Sequence, residues 1–341
     1  MRNNTKIERY HWIDYAKSIG IFLVVYSHLG VKNIEYCFLF TFHVPLFFFI
    51  AGYLVAKDNK IFDINKRIER LLLPYIYLYL ISLIFIFGTQ AILEHKFYLT
   101  TFLKTLIGLF WKSHGYPYVV NGALWFLLSL LTVEFIFNFF IKKKPWLLII
   151  FCLISISFYL NDRINIFLYP DWSSLFSLSL LGLNYYCLGY FIRRKNIVVN
   201  LQKFPNAVFI ILGFTAFLVV YILAKNGNVW FGGDSVYAYF TSFVGGAIGC
   251  FMITAICLLL EKTIGGLKPI NFISLNTLLI LGLQTLSNKL AQKIISHFSL
   301  IPSSLKILFA TILSITILVP IIILINKFLP QIGGRRYLNS R

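Results

Sequence analysis

A chain of 341 residues in which 59% are apolar, 18% aromatic and only 13% charged lies far from the make-up of soluble globular domains. Its formal charge of +19, from 31 Lys and Arg against 12 Asp and Glu, is spread between apolar segments with no soluble basic domain. It therefore reads as membrane topology and attraction to anionic lipid headgroups, not as nucleic-acid binding.

Apolar segments fall at about 13–30, 36–55, 71–88, 122–141, 145–160, 174–192, 206–224, 236–260, 270–287 and 307–328. The expectation is an all-α polytopic membrane protein of about ten transmembrane helices, a single domain over residues 1–341 with no fixed-period repeat. The fifth segment is the shortest, and residues 97–110 are expected to form an interfacial helix. With the N-terminus placed in the cytoplasm, roughly two thirds of the basic residues lie on that side, including the cluster Lys57, Lys60, Lys66, Arg67 and Arg70 and the run Lys142 to Lys144. Both termini are then cytoplasmic. The first segment is interrupted by Asp14 and Lys17 and is expected to remain as a helix, not a cleaved signal. Cys37, Cys152, Cys187, Cys250 and Cys257 show neither CxxC nor zinc-type spacing and read as packing residues, with no metal site expected.

The first two segments carry the chemistry. WIDYAKSIGIFLVVYSHLG places ionisable Asp14 and Lys17 where aliphatic residues are usual, and such groups are candidates for function. At 100° per residue Lys17 and His28 differ by only about 20° around a helix and lie roughly 16 Å apart along it, with Asp14 within about 60° of the same stripe. YCFLFTFHVPLFFFIAGYL brings His43 to a depth near that of His28. Pro45 removes a helix hydrogen bond there and is expected to open the backbone locally. Glu134, inside the fourth segment, calls for a cation, with Lys17 at similar depth or solvent at the helix boundary as alternatives. Trp125 reads either as a site wall or as part of an aromatic belt.

WIDYAKSIGIFLVVYSH28, FH43VPLFFFIAGY53, R67IER70LLLPY75 and ALW125FLLSL together resemble the acyltransferase-3 family of integral-membrane acyltransferases. Within it they are most similar to the fucose 4-O-acetylase-like branch of bacterial glycan O-acetyltransferases. The resemblance implies transfer of acetyl from cytoplasmic acetyl-CoA, a donor substrate and not a tightly bound cofactor, to a hydroxyl of a cell-surface or secreted glycan or lipid-linked sugar, in the bacterial plasma (inner) membrane. It assigns His28 as base or acetyl relay, with His43 beside it. A basic residue eleven positions before the histidine, commonly arginine, is implied to contact CoA phosphates; here it is Lys17, a point charge without the arginine fork. Many relatives carry a late histidine in a pattern like NSLxIxxLH, where this chain reads N276TLLILGLQ284. Gln284 cannot act as a base.

The chemistry agrees with the residues. An alcohol needs a base to become a nucleophile, and histidine serves at neutral pH. Lys17, Arg67 and Arg70 suit a polyanionic donor, and the Lys17 to His28 separation is comparable to an extended pantetheine arm. Each residue has a plainer reading: Lys17 snorkelling with Asp14 as its i,i+3 partner, His43 as a structural hydrogen-bonding group, Arg67 and Arg70 as topology determinants. Outer-loop Trp111, His114, Tyr116, Tyr118, Asn121, Asn161, Asp162, Asp171, Trp172, Trp230 and Asp234 suit either a sugar or a membrane interface. The rival function is a glycan exporter or flippase, which should show paired repeats and broken helices in both halves.

Overall fold

The computed structural model describes residues 9–56, 63–93, 95, 97–111, 120–143, 170–226, 236–298 and 302–335. The fifth expected span at 145–160 lies outside them, as do His114, Tyr116, Tyr118, Asn161, Asp162, Trp230 and Asp234. The described part is helical: α1 (His11–Ser27), α2 (Asn33–Val55), α3 (Ile64–Arg67), a π-helical turn (Ile68–Leu72), α4 (Leu73–Leu93), α5 (Leu99–Trp111), α6 (Trp125–Lys143), α7 (Pro170–Arg194), α8 (Ile197–Leu201), α9 (Asn206–Asn226), α10 (Val236–Ile264), α11 (Lys268–Leu275), α12 (Thr277–Ser296) and α13 (Ser303–Phe328). Among the described residues seven helices are long and apolar enough to cross a membrane, and eight if the bent pair α11–α12 counts as one. A chain whose peptide groups must be satisfied in hydrocarbon has this solution available, since each helix closes its own backbone hydrogen bonds.

α1 is the hub. It touches α2, α10, α11, α12 and α13, and its buried residues, Trp12, Asp14, Tyr15, Ser18, Gly20, Ile21, Val24 and Val25 among them, lie around the whole helix and not on one stripe. Its first half packs with α2, α6, α7 and α10 in one core, and its second half, from Ile21 to Leu29, packs with α4, α12 and α13 in another. At its start Glu261 Oε1 of α10 accepts the Trp12 N–H at 3.2 Å. A distant carboxylate thus satisfies one of the amides that every helix N-terminus leaves open.

Three local features depart from the sequence expectation. The third span begins at Ile64, not near residue 71, so Arg67 and Arg70 belong to the helical entry and its π turn. Asp63 starts it, accepting the N–H groups of Asn65 and Lys66. The expected ninth span is two helices at 82°, broken at Asn276. Asn276 accepts from Asn326 at 2.9 Å and from Arg335 at 2.8 Å, and Arg335 also donates to the Leu275 carbonyl. The Leu275 carbonyl freed at the break is thereby satisfied. Pro45 opens nothing: α2 runs through it without interruption. The Thr41 carbonyl that Pro45 leaves without a helical donor is covered by α10, where a Cβ on Gly246 would lie 3.0 Å from that oxygen. At residues 97–110 a helix does form, α5 at Leu99–Trp111, too short to span.

With lipid as apolar as leucine, helix association rests on close packing, and α2 and α7 show how close. A Cβ on Gly52 would meet the Tyr186 carbonyl oxygen at 1.9 Å, and one on Gly189 would meet the Phe49 carbonyl oxygen at 2.0 Å. The clash is with backbone, so the helices would have to separate. Gly52→Ala is expected to destabilise the protein by about 1–3 kcal/mol, the usual cost of overpacking. Gly88→Ala on α4, where nothing lies within 4 Å, should gain about 0.5–1 kcal/mol from helix propensity. Melting of the detergent-solubilised variants checks the opposite signs.

Candidate functional site

The end of the bundle at which α1 begins gathers charge. Asp14 is buried and accepts from Arg9, at 2.7 Å from Nε and 3.3 Å from an Nη, and from the Ser274 hydroxyl of α11 at 2.6 Å. Its partner is therefore Arg9, not Lys17. Arg9 precedes the helix and folds back on it, whereas Lys17, three positions on, sits partly buried with Asp14, Arg70 and Arg9 as its charged neighbours. Lys17 itself makes no hydrogen bond or ion pair among the described residues. Glu134 likewise takes Arg67, at 3.1 Å, and not Lys17. The early start of the third span at Ile64 explains this, since it carries Arg67 up beside α6. Arg70, exposed, is the next charge felt by Glu134. Five cations, Arg9, Lys17, Arg67, Arg70 and Arg193, thus share this end with four carboxylates, Asp14, Glu69, Glu134 and Glu261. The balance is positive, and such a region attracts phosphate.

At the other end of α1 the helix closes at Ser27, and His28 is its C-cap residue, exposed, instead of continuing the span to residue 30. The His28 Nδ1 lies 2.7 Å from the Val24 carbonyl oxygen, and the His43 Nδ1 lies 2.6 Å from that of Leu39. A carbonyl only accepts, so Nδ1 carries the proton in both rings, and in each neutral imidazole the basic lone pair is on Nε2. The sequence placed the two rings at one depth. They do share a neighbour: Phe40 lies 6.4 Å from the His28 ring and 4.7 Å, edge-on, from the His43 ring. They differ in access, since His43 is 1% exposed and His28 open. Tyr26 donates to Glu35 at 2.5 Å and ties the α1–α2 connection beneath them. Trp125, partly buried at the start of α6, packs against the first core.

Several participants were not legible beforehand. Arg193 of α7 donates to the hydroxyls of Tyr53 at 3.1 Å and Tyr10 at 2.7 Å and lies over both rings. Glu261 and Ser274 are equally remote in sequence from the helix they fix. A charged residue near the end of an apolar span was the only available signal for Arg193 and Glu261, and Ser274 had none. Gln284, on α12, is 1% exposed, and neither its amide nitrogen nor its oxygen has a partner.

A family model described as an acyltransferase domain matches residues 10–325, nearly the whole chain. The chain belongs to the acyltransferase-3 family. Neither a search of curated proteins nor one of solved structures finds a match. This membrane acyltransferase therefore has at one end of its central helix a cation-rich region and at the other an accessible imidazole. The separation of Lys17 and His28 along α1 is roughly 16 Å by helix rise.

The Arg67–Glu134 pair of the acyltransferase is asymmetric, with 24% of the arginine side chain accessible against 5% of the glutamate. Losing the arginine strands a buried carboxylate. Arg67→Met is expected to cost about 2–3 kcal/mol, below the range for breaking a fully buried pair because Arg67 already reaches water. The double variant Arg67→Met/Glu134→Gln should recover at least half, as read from denaturation midpoints.

Proposed function

We propose that the chain is an O-acetyltransferase that moves acetyl from acetyl-CoA to a hydroxyl of a surface or secreted glycan. In this reading it lies in a bacterial plasma membrane with both termini in the cytoplasm, about ten spans, and closest kinship to the fucose 4-O-acetylase-like branch. The observation that supports it is the placing, at the two ends of one helix, of Lys17, which makes no hydrogen bond or ion pair among the described residues, and His28, an exposed residue whose Nδ1 is held by the Val24 carbonyl.

Arg9 neutralises Asp14 and Arg67 neutralises Glu134, so the charge that remains is positive where a CoA phosphate group enters. Lys17 offers its three donors to phosphate as a point charge. The pantetheine arm then runs along α1 toward His28. There Nε2 takes the proton of the sugar hydroxyl as its oxygen bonds to the acetyl carbon. The tetrahedral intermediate collapses with cleavage of the C–S bond, and the CoA sulfur leaves and takes the proton from the imidazolium. His43, enclosed and one aromatic ring away, shapes and orients the pocket instead of meeting the acceptor.

Purified protein supplied with acetyl-CoA and a glycan acceptor should consume thioester. His28→Ala should lower kcat by about 10²–10⁴-fold, the usual worth of a positioned base. Lys17→Gln should instead raise the KM for acetyl-CoA by about 10–100-fold, the loss of one charged hydrogen bond. Undiminished turnover by His28→Ala removes that residue from the chemistry.

A further inference from the structure

An amide buried with nothing to bond is rare, and Gln284 has both its oxygen and its nitrogen in that state at 1% exposure. Such a group costs stability that an apolar residue of the same size would not. Its position shows what it faces. α12 runs alongside α1 in the same direction: Ser274, just before the break, bonds Asp14, and Gln292 donates to the Leu29 carbonyl at 3.3 Å. Gln284 is eight residues before Gln292, hence roughly 12 Å nearer the charged end. That is level with Ile21 of α1, above Lys17 and below His28. Around α12, Ser287 and Asn288 meet Ser314 of α13 and flank the direction of Gln284 by about 60° on one side and 40° on the other, while Gln292, about 80° round on the Asn288 side, meets α1. The orphaned amide therefore faces α13, with the contact to α1 about 80° round the helix.

We propose that Gln284 is a substrate-binding residue whose carboxamide pairs with a secondary amide of the donor's pantetheine arm. A side-chain amide presents one acceptor and two donors, and a secondary amide presents a matching N–H and C=O, so two hydrogen bonds satisfy both orphaned atoms at once. The depth assigns the arm: a chain stretched from phosphates at Lys17 to a thioester at His28 passes this level. Entry requires α1 and α12 to part, and the 82° break at Asn276 gives α12 a joint at which to do so. The inference rests on the donor path proposed above.

The test is Gln284→Leu in the full-length protein, with three readouts. Without ligand the variant should melt at or above the wild-type temperature, because an unsatisfied polar group has been removed. Binding of CoA, read from the melting shift it induces, should weaken about tenfold in the variant. Binding of adenosine 3′,5′-bisphosphate, which has the phosphates but no amide arm, should be unchanged. Equal CoA affinity in variant and wild type overturns the proposal while leaving the donor path standing. Normal CoA affinity with selective loss of transfer to acetamido sugars assigns the amide to the acceptor and also overturns it. Failure of wild-type protein to bind CoA at all sinks the donor path itself, and this proposal with it.

Discussion

The Asp14 carboxylate is the constraint on which the rest depends. It is buried, bonded on one side by Arg9 and on the other by Ser274, and so fastens the chain before α1, α1 itself and the end of α11 to one point. Those bonds also consume its charge. Had Asp14 paired with Lys17 at i,i+3, as surface helices commonly do, the ammonium would be neutralised within the protein. Because Arg9 takes that place, Lys17 makes no ion pair among the described residues. Removing Asp14 would therefore do more than loosen α1. It would leave Arg9 and Ser274 without their acceptor and add a further unbalanced cation to a region already positive.

The same logic governs the other acid. Glu134 is held by Arg67, which reaches it because the chain is already helical at Ile64 and turns through a π segment before α4. A π turn shifts the register of the side chains beyond it, and such turns occur often at functional sites. Arg67, which bonds Glu134, stands just before this one, and Arg70, which is exposed, lies within it. Behind Arg70 the short 3₁₀ turn Pro330–Gly333 closes in, with a Cβ on Gly334 placed 3.0 Å from the Arg70 carbonyl oxygen. Through Arg335 and Asn276 it also joins the break between α11 and α12.

The geometry of a single helix was legible in the sequence. α1 runs as one unbroken helix from His11 to Ser27, and the membrane class comes from apolar length. Choice of partner was hidden. Arg9 is upstream of the helix, and Ser274 is 260 residues from Asp14, so no periodicity connects them. The break at Asn276 carries no proline or glycine to announce it; its capping groups, Asn326 and Arg335, come from the far end of the chain. Pro45 misled in the other direction. A proline does forfeit a hydrogen bond, but α10 brings Gly246 against the Thr41 carbonyl, and a helix backed so tightly by a neighbour has nowhere to open.

A transporter would use polar groups differently. Alternating access needs a site that both faces of the membrane reach in turn, usually built from broken helices in two related halves. Among the described residues the one bent pair is α11–α12, and the helix that carries Lys17 and His28 is unbroken and enclosed by five others. Such a helix is suited to holding two groups at a fixed distance, not to rocking. Fixed separation is what the proposed transfer from a long donor would require: phosphates anchored at one end so that the thioester arrives at the other without searching, which converts anchoring energy into effective concentration at the reacting carbon. The division between the histidines fits that demand. Both have their tautomer set by a carbonyl one turn back, but His43 is enclosed and His28 is exposed.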